Sequence, residues 1–463
     1  MEASRILATL IAASAVISFT QCSAPAGMSQ EFPARWIFTE RNTPFYAANW
    51  TSDEHFINAM NGSPARISAV RADERRDIPF EYKDINGNPY ISTLAEDDYI
   101  LFSVPVRRLE KGSAIEVEAA LISNPMSPKY FTIEYFEDGK WKTVKDDLKE
   151  IPENPEMKYT FRCSGIGEGE HHEYTSVYQT IRLAKDIKDN ELKVRFRATG
   201  GYTCCGKPQD AEAKDGAIGF VHHGFNGAYM QNYGTDIPRD TIKVLCLGNS
   251  FTYFSNVPSM LKEIAWSQGH YFNINAHLKG GRTIGQHLGL ILSSHTIEYG
   301  DYDVAFLQDQ SQNPARFAAD PKSHAHVPSD FAALSEMVLR HSPDCRIIME
   351  HTWAYPSQRF GGFGDFETFT RLLYEGSQAM AATNGSEVSP IGKAFEIVYN
   401  ENKGIRLYDT DNKHQSHYGA YLKACVNYLI ITGERFSGNV ACCGIEPDKA
   451  AYLQSAAERA VFI

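Results

Sequence analysis

The sequence predicts an α/β domain with a doubly wound parallel sheet, preceded by an all-β sandwich. Two patterns and a composition point there. From Thr241 onward, short apolar, β-branched runs alternate with helical runs, the order that builds a parallel sheet with helices on both faces. Before that point, β-rich runs recur with turn residues between them, and no long helical period competes. A chain of 463 residues with 43% hydrophobic and 12% aromatic residues suffices for two domains with sizeable cores.

The first element is an export signal. Arg5 precedes an apolar run from Ile6 to Phe19, too short to span a bilayer comfortably, and Thr20-Gln21-Cys22-Ser23-Ala24-Pro25-Ala26 follows it. Two processing routes stay open. Cys22 looks like the lipidated cysteine of a bacterial lipoprotein of the cell envelope; cleavage after Ala26 instead gives a secreted protein. Either way residues 1–26 are a signal peptide and the mature chain is exported, with no later segment apolar enough to span a membrane.

Residues 27–236 form the expected sandwich. Strand-like runs cover 98–104, 114–120, 130–136, 174–183 and 192–198, and Glu137-Asp138-Gly139-Lys140 is a hairpin signal. Trp36, Trp50 and Tyr202 could offer rings to a sugar, but the core is the stronger expectation for each. Residues 224–240, with Asn226-Gly227, Gly234 and Pro238, read as the linker to a domain at 237–463.

In that second domain the strands are 241–245, 272–276, 304–307 and 346–350, with a short fifth near 404–408. Helices are expected at 257–268, 331–341, 366–383 and 420–431. Leu245-Cys246-Leu247-Gly248-Asn249-Ser250-Phe251-Thr252 places Ser250 where a strand ends and a helix begins, in the usual ligand crevice of such a sheet. A serine hydroxyl needs a base to take its proton, and the base needs a carboxylate to fix its tautomer. Asp411-x-x-His414 supplies both from one loop. Each motif alone also fits a turn or a capped loop; together, in this order, they point to nucleophilic catalysis.

These residues resemble the SGNH (GDSL-like) hydrolase superfamily over 241–463. The resemblance implies a flavodoxin-like sheet, Ser250 as nucleophile, His414 as base and Asp411 as the residue orienting it. It implies that the N–H groups of Ser250 and Gly281 form the oxyanion hole. The family's third block, G-x-N-D, is replaced by Gln308-Asp309-Gln310-Ser311; Gln308 is the first choice for the side-chain donor and Gln310 the reserve. Past the fourth strand, Trp353 and Tyr355 are substrate-contact candidates or core aromatics, and the glycine-rich 360–364 segment is a lid or a connection. The strand order before Thr241 is similar to galactose-binding-like jelly rolls.

The implied activity is an exported serine esterase removing a small acyl group, acetyl first, from a carbohydrate or polysaccharide. A lipase or thioesterase of the same family and a non-catalytic glycan-binding lipoprotein are the alternatives. With 45 Lys+Arg against 57 Asp+Glu, 45 − 57 = −12, nucleic acid and anionic membrane surfaces are not expected partners, and a lipid on Cys22 is the one route to a membrane. The nine cysteines show no zinc spacing, and their pairing is left open. His171-His172, His222-His223 and the pair His324 and His326 lack acidic or cysteine partners. Neither metal nor cofactor is expected.

Overall fold

The structure, a computed structural model, describes residues 32, 34–37, 56–58, 65–73, 76–82, 89–92, 94–145, 160–163, 175–209, 216–220, 226–236, 241–298 and 300–462. Cys22 and the signal segment, Trp50, His171-His172, His222-His223 and Pro238 lie outside the described residues.

Five parallel strands, Thr241–Gly248, Tyr271–Leu278, Val304–Leu307, Arg346–Glu350 and Glu387–Ser389, lie in the order second, first, third, fourth, fifth. The first, third and fourth are apolar on both faces over 244–247, 304–307 and 347–349 because both faces are covered. Val244, Cys246, Val304, Phe306 and Ile348 join one core with the helices Val257–Ser267, Phe366–Ala382 and His417–Thr432. The alternate residues Leu245, Leu247, Ala305, Leu307, Ile347 and Met349 join a second core with the helix His326–His341. A period of two thus deals successive side chains to opposite helix layers. The strand order reverses between the first and third strands, and a crevice opens above their carboxyl ends at such a switch point.

Two expectations are corrected here. The fifth strand is Glu387–Ser389, not 404–408. Three residues with a single apolar side chain carry almost no periodic signal, while 404–408 pairs with no strand among the described residues and forms an isolated bridge from Tyr408 to Gln415. The expected linker contains a strand, Asn226–Asn232, paired with Ala114–Ser123 and with Ala34–Ile37. Asn226-Gly227 looks like a turn, but Ala228, Tyr229 and Met230 behind it are fully buried.

Before Thr241 lie two antiparallel sheets of seven and eight strands. They share one core, in which Phe102 of the larger sheet meets Trp36 and Phe220 of the smaller edge-on at 5.9 Å and 6.3 Å. Trp36 is therefore a core residue, whereas Tyr202 is 50% exposed. The hairpin is present as expected: Glu137 pairs with Lys140, and Asp138 and Gly139 both have positive φ, 52° and 72°.

The strand Ala114–Ser123 joins the two halves. Ile115, Val117 and Ala119 face the antiparallel core, which turns Glu116 and Glu118 outward onto the helix Val257–Ser267. Lys262 Nζ there lies 2.5 Å from Glu116 and 2.7 Å from Glu118, with all three side chains at most 5% exposed. Ser259 Oγ donates to Glu118 at 2.9 Å.

Candidate active site

The first strand ends at Gly248, and a one-turn helix, Ser250–Tyr253, begins at once. Asn249 caps it, its side-chain oxygen accepting the Phe251 N–H at 3.1 Å. Gly248 is required by close approach: a Cβ there would lie 2.8 Å from Gln308 Oε1. At the far end of the chain, Asp409 N donates to His414 O at 2.8 Å and Ser416 N to Leu407 O at 2.8 Å, folding the 408–415 segment back on itself. This sets Asp411 and His414 over the helix Ser250–Tyr253.

His414 Nε2 is 2.8 Å from Ser250 Oγ, and His414 Nδ1 is 2.5 Å from Asp411 Oδ2. The backbone N–H groups of Lys413 and His414 donate to Asp411 Oδ1, each at 3.0 Å, leaving Oδ2 for the ring. A carboxylate acceptor at Nδ1 selects the tautomer with the proton there, so Nε2 is free to accept from the serine. Burial pushes the Asp411 carboxyl up, but the His414 hydrogen bond and charge, with the two backbone donors, outweigh it and hold the group well below the ordinary carboxylate range. It stays ionised. Phe254 packs edge-on against the His414 ring at 4.2 Å, fixing its plane.

Several side chains without a motif build the surroundings. Asn249 staples three loops, its Nδ2 donating to Arg282 O at 2.9 Å and to Asp309 O at 3.2 Å, and its N–H to Gln308 Oε1 at 3.0 Å. Gln415, buried beside the histidine, donates through Nε2 to Ser250 O and Phe254 O, both at 3.1 Å. Beneath the serine, Lys423 Nζ reaches Glu350 Oε2 at 2.6 Å, Thr252 Oγ1 at 2.8 Å and Phe251 O at 3.0 Å. Burial pushes its ammonium down against the pull of Glu350. The pair pins the helix that follows the histidine loop to the serine turn.

The oxyanion expectation divides. Gly281 has φ +70° in an open turn, and its N–H, like that of Ser250, has no hydrogen-bond partner among the described residues. Gln308 is corrected. It is 1% exposed, its Nε2 donates to Asn249 Oδ1 at 3.0 Å and to Asp309 O, and its Oε1 accepts from Asn249 N and Thr252 Oγ1. An amide so engaged has no N–H left for a ligand. Gln310, the reserve, has its Oε1 anchored by Gln312 N at 2.8 Å, while its half-buried Nε2 has no partner among the described residues.

Trp353 and Tyr355 are corrected as substrate contacts, because both are buried, at 0% and 1% exposure. Trp353 lies flat between Phe251 at 4.4 Å and Phe395 at 4.3 Å. Tyr355 OH pairs with Ser311 Oγ at 3.2 Å. The glycine-rich segment begins with a left-handed turn: Gln358, Arg359 and Phe360 have φ of 52°, 53° and 54°, at about 1–3 kcal/mol each. It is anchored on both sides, Ser357 N donating to Asn412 O at 3.1 Å and Gln312 Nε2 to Gly361 O at 3.0 Å.

No group of three or more His, Cys, Asp or Glu among the described residues is arranged to hold a metal, and no described helix is long and apolar enough to cross a membrane.

No family model and no curated protein matches this chain. Among solved structures, a DUF4886 family protein from Bacteroides uniformis is 20% identical over 48% of this chain and 95% of its own, with a TM-score of 0.40. A Corynascus thermopiles carbohydrate esterase family 2 enzyme with its carbohydrate binding domain is 10% identical over 75% of this chain and 95% of its own, with a TM-score of 0.33. Axe2, an acetylxylan esterase from Geobacillus stearothermophilus, is 15% identical over 42% of this chain and 95% of its own, with a TM-score of 0.31.

Proposed function

We propose that this chain is a serine ester hydrolase of SGNH type, with Ser250 as nucleophile, His414 as base and Asp411 as its orienting carboxylate. The observation that carries the reading is the continuous hydrogen-bonded line from Ser250 Oγ through His414 to Asp411, closed between segments 164 residues apart. Ser250 Oγ attacks the ester carbonyl as His414 Nε2 takes its proton. The oxyanion is held by the N–H groups of Ser250 and Gly281 and by Gln310 Nε2. His414 then protonates the departing alcohol, and water, deprotonated by the same nitrogen, releases the acyl group.

The finer reading follows from the family resemblance: a small acyl group, acetyl first, removed from a carbohydrate. With it go a flavodoxin-like catalytic sheet, a jelly-roll sandwich before it, and export through residues 1–26 with Cys22 as the lipidation site. The test is hydrolysis of para-nitrophenyl acetate and of longer-chain esters by the mature protein beside Ser250→Ala. Turnover that falls with chain length and disappears in the variant is expected. Preference for long chains would move the reading to a lipase, and turnover unchanged in Ser250→Ala would remove the proposed nucleophile.

A further inference from the structure

Four cations lie in the segments around the candidate triad. Arg282 follows Gly281, Arg316 follows the Gln308–Gln312 loop, Arg359 sits in the left-handed turn, and Lys413 precedes His414. None of the four makes an ion pair among the described residues. Arg316 Nη2 has only the neutral Gln312 Oε1 at 2.7 Å, and Lys413 Nζ stands 5.8 Å from the centre of the Tyr355 ring. Arg282 Nε is buried with no hydrogen-bond partner among the described residues.

Four carboxylates of these segments are already engaged. Asp309 accepts from Ile284 N, Gln310 N and Asn313 Nδ2; Asp411 holds His414; Asp365 caps the helix Phe366–Ala382; Asp320 accepts from Ser323 N. Burial pushes the Lys413 ammonium down, Asp411 opposes this, and the Arg316 charge pushes it further down, so Arg316 and Lys413 lie within electrostatic reach of each other. Elsewhere the chain is acidic, with a net charge of −12, so a cationic rim here is a local departure from the overall field.

We infer that this rim binds a negative charge on the substrate, so that the acylated carbohydrate is an anionic glycan, with Arg282, Arg316, Arg359 and Lys413 as its counter-charges. The identity of the bond cut rests on the esterase reading above; the binding does not. Three features argue for a built site rather than scattered surface charge. The left-handed backbone that presents Arg359 is held at both ends, by Asn412 of the triad loop and by Gln312, the partner of Arg316. Trp353 fixes the Lys413 backbone through its indole N–H. Asn249 fixes Arg282 at its carbonyl.

The test uses the mature Ser250→Ala protein, which binds without turnover. Its affinity for polygalacturonate, dextran sulfate and uncharged xylan is measured by calorimetry in low and in physiological salt. The expected result is at least tenfold tighter binding to an anionic polymer than to xylan, weakening as salt rises. The two anionic arms separate a carboxylate from a sulfate as the recognised charge. Arg316→Gln with Lys413→Gln is expected to lose at least tenfold of that preference, and Arg359→Gln alone a part of it, with folding checked by the thermal midpoint. In the active enzyme the double variant is expected to lower the ratio of kcat/KM for acetylated polygalacturonate over acetylated xylan by the same factor. Equal binding to xylan and to both anionic polymers, or a preference unmoved by removal of the cations, would overturn the inference. Anion binding by a protein that cleaves no ester would retain this site and sink the esterase reading instead.

Discussion

Trp353 donates its indole N–H to the backbone carbonyl of Lys413 at 3.2 Å, one residue before the candidate base. The ring is clamped between Phe251, next to Ser250, and Phe395, so one slab of aromatic stacking sets the histidine loop relative to the serine turn. Trp353→Phe keeps much of the stack and removes the hydrogen bond. The expected result is a fall in kcat/KM of roughly 10- to 100-fold from misplacement of His414, with a loss of about 1–3 kcal/mol of stability. Steady-state kinetics and the urea midpoint measure both. Unchanged kinetics in a destabilised protein would make Trp353 a packing residue only.

Asn249 is the junction of three loops, and its two functions can be separated. Asn249→Asp keeps an oxygen to cap the helix at Ser250 but cannot donate to Arg282 O and Asp309 O. Asn249→Ala loses the cap as well and leaves Gln308 buried with an unmatched N–H. Activity is expected to fall in both, and stability to fall further in Asn249→Ala, by about 0.5–2 kcal/mol for the cap and about 1–3 kcal/mol for the orphaned amide.

The two glutamines of the third loop make opposite predictions. Gln310→Ala is expected to lower kcat by roughly 10²- to 10³-fold with little change in thermal midpoint, as for loss of one oxyanion donor. Gln308→Ala is expected to destabilise the fold, because it strips partners from Asn249 and Thr252. Comparison of kcat with thermal midpoint for the two variants decides. A catalytic loss confined to Gln308→Ala would return the role to that residue.

The buried Lys262 between Glu116 and Glu118 makes stability depend on pH. Burial, more than the opposing Lys262 charge, pushes the Glu116 carboxyl up to about 8. A group whose folded pKa is raised binds its proton more tightly in the folded chain, so its contribution is complete below the ordinary carboxylate range and is lost as pH rises through about 8. The urea midpoint is expected to decline from pH 5 to pH 8 and to level off above it. Glu116→Gln is expected to flatten that slope; a slope that persists in the variant would place its origin elsewhere.

Much of this was legible in the sequence for local reasons. The first, third and fourth parallel strands hold continuous apolar runs, and the Asp138-Gly139 turn demands two positive φ values that its residues allow. Ser250 and the Asp411/His414 pair stand out because their spacing is short and their chemistry specific. What escaped depends on contacts between distant segments. Lys423 lies in an apolar helical run and gives no sign of its partner Glu350, 73 residues away. Gln308 and Gln310 cannot be ranked until it is known which amide the chain consumes for itself. Trp353 and Tyr355 fall beside the site in sequence, yet their rings point into the core.

Ser250 as the nucleophile is tested most directly by covalent labelling. The mature protein, treated with a fluorophosphonate, is digested and the modified peptide identified by mass spectrometry, beside His414→Ala. One adduct is expected, on Ser250, forming orders of magnitude more slowly when the base is absent. An unmodified Ser250 in the folded protein, or a rate that does not change in His414→Ala, would contradict that role.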